Sequence, residues 1–130
     1  MIPDGWQLLK ISDLGKVVTG GTPATSNQEF YGGGVPFIAP GDLGKSKYVS
    51  TAEKTLTEQG ALVSRMLPEG ATLFTCIGST IGKIGISTTR CATNQQINAV
   101  IANSHTDSEF VYYQLARKAA RIAGLAGTQA

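Results

Sequence analysis

Glycine and proline set the limits on what this chain can become. Sixteen glycines and five prolines fall within 130 residues, many in clusters: GGTP at 20–23, GGG at 32–34, PGDLG at 40–44 and PEG at 68–70. Glycine permits positive φ, and proline cannot continue a ladder, so GGTP breaks a strand, GGG falls in a polar loop, and PGDLG and PEG mark turns. The apolar residues are left in short segments rich in Ile, Val and Thr, as strands prefer. The implied fold class is α+β: a mainly antiparallel sheet with a few short helices and Gly-rich loops.

The segments can be placed one by one. WQLLKISDLG opens as an amphipathic piece that Gly15 can stop, and Val17 and Val18 begin a strand ending at GGTP. A single helical turn is expected at residues 27–31, and a short strand at Val35, Phe37 and Ile38. Thr55 with Glu58 fits a capping box, which predicts a helix running toward Arg65 and weakened by Gly60. A turn at Pro68-Glu69-Gly70 leads to a strand over residues 71–77, GKIGISTT forms the return strand, and QQINAVIA a third. Thr106 with Glu109 forms a second capping box before EFVYYQLARKAARIAG, where Val111, Leu115, Ala119 and Ile122 share a helical face. Trp6, Phe37, Phe74 and Phe110 read as core, and of Tyr112 and Tyr113 one packs while the other faces a partner.

Composition excludes several classes. Hydrophobic residues make up 42% and charged residues 15%, which is globular and not disordered. No apolar run approaches the roughly 20 residues of a membrane span, and the N-terminus lacks the build of a signal peptide, so a cytoplasmic protein is expected. Cys76, Cys91 and His105 are too few and too scattered for a structural metal site; Cys76 reads as a buried strand residue. Asp42 is the one carboxylate in a tight motif, and no spacing suggests a His–Cys or His–Ser pair, so no catalytic set is expected. Residues 1–44 carry a net charge of −2 and residues 45–90 a net charge of +3, a bias that suits a polyanion or an ordinary solvated face.

FTCIGSTIGKIGI, residues 74–86, invites comparison with a phosphate loop. A Walker A loop needs four residues between its glycines, a hydroxyl after the lysine and a helix beyond it. Gly78 and Gly82 enclose three residues, Ile84 replaces the hydroxyl, and the sequence beyond reads as a strand. The stretch is better read as a connection between strands, with Ser79 and Thr80 at its tip and Lys83 just after it.

The chain resembles a target recognition domain from the specificity subunit of type I restriction–modification systems. The likeness rests on WQLLKISDLGKVVTGGTPAT, YGGGVPFIAPGDLG, LTEQGALVSRMLPEGATLFTCIGSTIGKIGI, TNQQINAVI and DSEFVYYQL, in that order. It implies sequence-specific double-stranded DNA recognition, one half of a split target being read for an adenine methyltransferase and restriction complex. The implied partners are double-stranded DNA, methyltransferase subunits and restriction nuclease subunits. No cofactor is expected on this chain; S-adenosylmethionine would belong to the methyltransferase, and the target adenine would leave the stack to reach it. One target recognition domain is expected over residues 1–130, without the spacer helix and second domain of the family's full pattern. The alternatives are a specificity domain of a fused restriction–methylation enzyme, a truncated fragment that mainly binds methyltransferase, and a nucleotide-binding enzyme using the glycine turn.

Base reading wants amides, hydroxyls and cations on loops. Three places supply them: Lys45, Ser46, Lys47 and Tyr48; Ser79, Thr80 and Lys83; and Thr88, Thr89 and Arg90. These are the candidate DNA-binding residues, with lysines on phosphates and Arg90 or Tyr48 nearer the bases. Asn94-Gln95-Gln96-Ile97-Asn98 has suitable chemistry for adenine, but the resemblance places it in the shared framework, as it does GGTP. Shared framework does not encode a variable target.

Overall fold

A computed structural model describes residues 14–75, 83–103 and 106–117. Eight strands are present among them: β1 (Gly15–Thr19), β2 (Tyr31–Ile38), β3 (Tyr48–Val49), β4 (Lys54–Leu56), β5 (Thr72–Thr75), β6 (Ile84–Ser87), β7 (Ala92–Thr93) and β8 (Ile97–Ala102). Helix α1 covers Glu58–Leu62, helix α2 covers residues 108–117, and single 3-10 turns stand at Gln28–Phe30 and Pro40–Asp42. The opening amphipathic piece, Trp6 and Cys76 lie outside the described residues, as do Ala119 and Ile122.

The strands form two sheets. The larger has the order β1-β8-β5-β6-β3, and the smaller β4-β2-β7. Pairing is mainly antiparallel, as the short segments and tight turns require. Two parallel contacts, β3 with β6 and β2 with β7, join strands that are distant in sequence. β8 lies between β1 and β5 and pairs antiparallel with both.

Period-two alternation along β8 feeds two cores. Ile97 and Ala99 join Leu73 of β5, Val49 of β3, Ile38, Leu43, Leu67, Ala71 and Cys91 in the main cluster. Val100, on the opposite face, meets Leu14 and the α2 residues Val111 and Leu115, with Phe74 and Ile84 packed beside them. The larger sheet is thus covered on both faces. A third cluster of Val35, Phe37, Leu56, Ala61 and Ala92 closes the smaller sheet against α1. Burial pushes the Cys91 thiol up to about 11, so it behaves as a small apolar residue.

The glycines at 32–34, expected in a polar loop, lie inside β2, where the ladder is irregular between Tyr31 and Val35. Three further local expectations need correction. The cap of α1 is Thr57, which accepts from the Gly60 N–H at 3.2 Å; Thr55 instead belongs to β4, and the helix ends at Leu62. The cap of α2 is Asp107, whose side chain accepts from the Glu109 N–H at 2.7 Å, while Thr106 donates to Asn103. Phe110 is 48% exposed and lies outside the core. In each case a neighbouring residue had equivalent capping or helical chemistry, and tertiary packing chose between them.

Gly60 does more than weaken a helix. A Cβ there would stand 2.3 Å from the Phe30 carbonyl oxygen, because the chain after the first 3-10 turn presses against α1. Helix propensity alone predicts that Gly60→Ala stabilises by about 1 kcal/mol. We expect the opposite sign, a loss of about 1–3 kcal/mol from overpacking against backbone, read by urea denaturation. Leu62→Ala, at a position 84% exposed, should stay within about 0.5 kcal/mol of the parent.

Candidate nucleic-acid interface

The second 3-10 turn shapes the loop that carries the first candidate group. The Asp42 carboxylate accepts from the Ala39 N–H at 2.9 Å and from the Glu53 N–H at 3.1 Å, so both its oxygens serve the backbone. That gives the one suspicious carboxylate of the sequence a structural role. Leu43 is buried beneath it, and Gly44 adopts a φ of 88°, which a side chain would strain. Chain direction reverses there, and Lys45, Ser46, Lys47 and Tyr48 follow into β3.

β3 aligns this loop with β6. The pairs are Tyr48 with Ile86 and Val49 with Ser87, and the Ile86 N–H donates to the Lys47 carbonyl at 2.8 Å. Because the pairing is parallel, the residues entering both strands share one end of the sheet. Lys83 therefore lies beside Gly44, its Cγ 3.5 Å from where a Cβ on that glycine would stand. Thr75 and Lys83 are hydrogen-bonded, N–H to carbonyl, at 3.0 Å. They bracket residues 76–82, and the expected placement of Ser79 and Thr80 lies outside the described residues. β5 and β6 pair antiparallel across it. The glycine stretch thus connects two strands and opens no helix, as a phosphate loop would.

The third candidate group sits elsewhere. Thr88, Thr89 and Arg90 leave the opposite end of β6, and Thr88 donates to the Val49 carbonyl at 3.3 Å. Arg90 forms an exposed ion pair with Glu58 of α1 at 3.2 Å. Exposed pairs of this kind contribute little to stability, about 0–1 kcal/mol. The structure therefore brings Lys45, Ser46 and Lys83 together where β3 and β6 begin, while Thr88, Thr89 and Arg90 follow the other end of β6, with Thr88 bonded to Val49 next to Tyr48 and Arg90 turned to α1.

Within the first group the cations differ. Lys45 is exposed and makes no side-chain hydrogen bond or ion pair among the described residues. Lys47 does the reverse. Its Nζ donates to the Tyr113 hydroxyl at 2.9 Å and lies 3.2 Å from Glu109 Oε1, both on α2. The Tyr113, Tyr48 and Tyr112 rings surround it, with centroids at 4.6, 5.3 and 5.7 Å. Tyr48 donates its hydroxyl to the same Glu109 carboxylate. The Tyr113 hydrogen bond first, then Glu109, hold the Lys47 ammonium above the ordinary lysine range, against desolvation. Glu109 is lowered, by the Tyr48 hydrogen bond first and by Lys47 next. Sequence reading assigned Glu109 only to a helix cap; a carboxylate at a helix start has no signal that says which distant cation it meets.

The Gly20–Pro23 and Thr93–Asn98 segments brace each other. The Gly20 N–H donates to the Ile97 carbonyl at 3.1 Å, and the Gly21 N–H to the Thr93 carbonyl at 3.0 Å. Thr19 donates to Asn98 Oδ1 and Thr22 to Gln95 Oε1, both at 2.6 Å, while Asn94 Oδ1 accepts from the Gln96 N–H at 3.0 Å. The amides hold two loops in register, which agrees with the framework reading.

The family described as "Type I restriction modification DNA specificity domain" matches residues 3–130. The chain belongs to this family. Among curated proteins it is 34% identical over 116 residues to the HindI specificity subunit of Haemophilus influenzae, covering 88% of this chain and 25% of that one. It is 35% identical over 116 residues to the MjaIX specificity subunit of Methanocaldococcus jannaschii, covering 86% of this chain and 27% of the relative. The chain thus spans about a quarter of the length of these relatives. The HsdS subunit from Thermoanaerobacter tengcongensis shares the fold, with a TM-score of 0.74 at 17% identity, over 95% of this chain and 30% of that one. A structure described as concerning complex assembly and conformational transition of the type I R-M system shares it at a TM-score of 0.69 and 18% identity, over 88% and 28% of the two chains.

If the Asn98 contact is framework, its loss should appear in stability. Asn98→Ala is expected to cost about 0.5–1.5 kcal/mol in urea unfolding, the net value of a hydrogen bond.

Proposed function

We propose that residues 1–130 act as one target recognition domain of a type I specificity subunit, reading the sequence of one half of a split target in double-stranded DNA. Membership of the DNA specificity domain family over residues 3–130 carries this reading. The loop of Lys45, Ser46, Lys47 and Tyr48, with Lys83, Ser79 and Thr80, supplies the first contact region. Thr88, Thr89 and Arg90 supply the second. Lysines meet phosphates and set affinity, while the hydroxyls, Tyr48 and Arg90 stand nearer the base edges.

In this reading the chain performs no chemistry. Methyltransferase subunits bring S-adenosylmethionine and modify an adenine, and restriction nuclease subunits join the same complex. No residue of this chain is assigned to the cofactor. The setting is cytoplasmic; among the described residues no helix is long and apolar enough to cross a membrane.

Selection from a random duplex pool at low and moderate salt tests the proposal. A short motif that survives moderate salt is the expected result. Binding that disappears with salt and enriches nothing would count against sequence reading by this domain and favour a fragment that mainly binds methyltransferase. Lys45→Ala should reduce the slope of log K against log salt by about 0.9, the value of one phosphate contact. Asn98→Ala should leave the selected motif unchanged.

A further inference from the structure

The most heavily engaged cation of the proposed interface is already paired with an anion. Lys47 is 26% exposed, yet it could reach a phosphate only by exchanging one anionic partner for another, since Glu109 Oε1 stands 3.2 Å from its Nζ. The same carboxylate takes the Tyr48 hydroxyl. One side chain on α2 therefore fastens two consecutive residues of the loop, one a candidate phosphate contact and the other a candidate base contact. α2 is itself fixed: Val111 and Leu115 are buried against Val100 of the larger sheet. Asp107 caps its start, which sets Glu109 at the first turn with its N–H already satisfied.

We propose that Glu109 is a selectivity-determining positioning residue: it stands in for a DNA phosphate at Lys47 and fixes Tyr48, so that the loop gives up this pair only to a duplex that repays it. This inference rests on the DNA-reading function proposed above. The physical ground is an exchange. A free lysine gains counterion-release energy from any duplex, whatever its sequence. A lysine already paired gains much less, because a carboxylate must be released for each phosphate captured. Non-specific binding falls most, since it consists almost wholly of phosphate contacts, whereas a matched target adds base contacts that offset the exchange. The Tyr113 hydroxyl, 2.9 Å from Nζ, keeps the ammonium near the helix while the exchange occurs.

The test compares the full 130-residue chain with Glu109→Gln, Lys47→Ala and the double variant. The probes are a short random-sequence duplex and the duplex enriched by selection, each titrated across a salt series. Thermal melting verifies folding of every variant. Glu109→Gln keeps the side-chain size and a hydrogen-bond acceptor for Tyr48 but removes the charge. It should bind the random duplex about two- to fivefold more tightly, the reach of one exposed ion pair. Its salt slope should steepen by about 0.9, and the ratio of enriched to random binding should fall. The double variant should return the slope to that of Lys47→Ala, which places the effect on this lysine. Unchanged random-duplex affinity and slope in Glu109→Gln would overturn the proposal, as would weaker binding to both duplexes with a lowered melting temperature, which is the signature of a purely structural tie. A parent chain that binds neither duplex would instead overturn the DNA-reading function itself, so the two failures are distinguishable.

Discussion

β8 carries this fold because one strand sets the register of two neighbours and divides its side chains between two cores. Ile97 and Ala99 fill the main cluster, while Val100 supports α2 on the other face. A shift of one residue would exchange those faces. The strand is therefore pinned where it begins. The Thr93–Asn98 segment is bonded to Gly20, Gly21, Thr19 and Thr22, and a Cβ on Gly20 would stand 2.1 Å from Thr93 Oγ1. Two sequence motifs about 75 residues apart thus form one structural device.

Division of labour follows from that pinning. The strands and amides hold a stable face, and the side chains of the Lys45–Tyr48 loop are displayed from it. Asp42 secures the approach to the loop through two backbone N–H groups, and Gly44 supplies the reversal. The loop is held by backbone on one side and by Glu109 on the other. Within it the Ser46 hydroxyl donates to the Tyr48 carbonyl at 2.7 Å, whereas the Lys45 side chain is exposed.

Much of the fold could be read from the sequence because breakers and β-branched residues act locally. The strands around Val17, Leu73, Ile86 and Val100 lie where alternation and glycine clusters place them, whereas β2 runs through the glycines at 32–34. The smaller sheet was not legible, since β2 meets β7 through parallel pairing of residues more than 50 positions apart. Capping was wrong by one or two residues because Thr55 and Thr57, like Thr106 and Asp107, have equivalent local chemistry. The candidate site was legible only as composition. Lysines and hydroxyls on loops could be named, but their grouping depends on the parallel β3–β6 pair, and the bond from Lys47 to Glu109 spans 62 positions. Phe110 failed for the related reason that an aromatic at the start of a helix does not announce which side of the helix is covered.

The brevity of β3 also governs how such a domain can change. Val49 is buried in the main cluster and Tyr48 points to solvent, and two residues of pairing are all that separates these fates. Inserting or deleting one residue between Tyr48 and the core would turn the strand over and bury a phenol. Upstream of Lys47, whose carbonyl already accepts from the Ile86 N–H at 2.8 Å, Lys45 and Ser46 make no backbone hydrogen bond among the described residues. A change of length there leaves the β3–β6 register untouched, so the loop can grow or shrink while the sheet stays in phase.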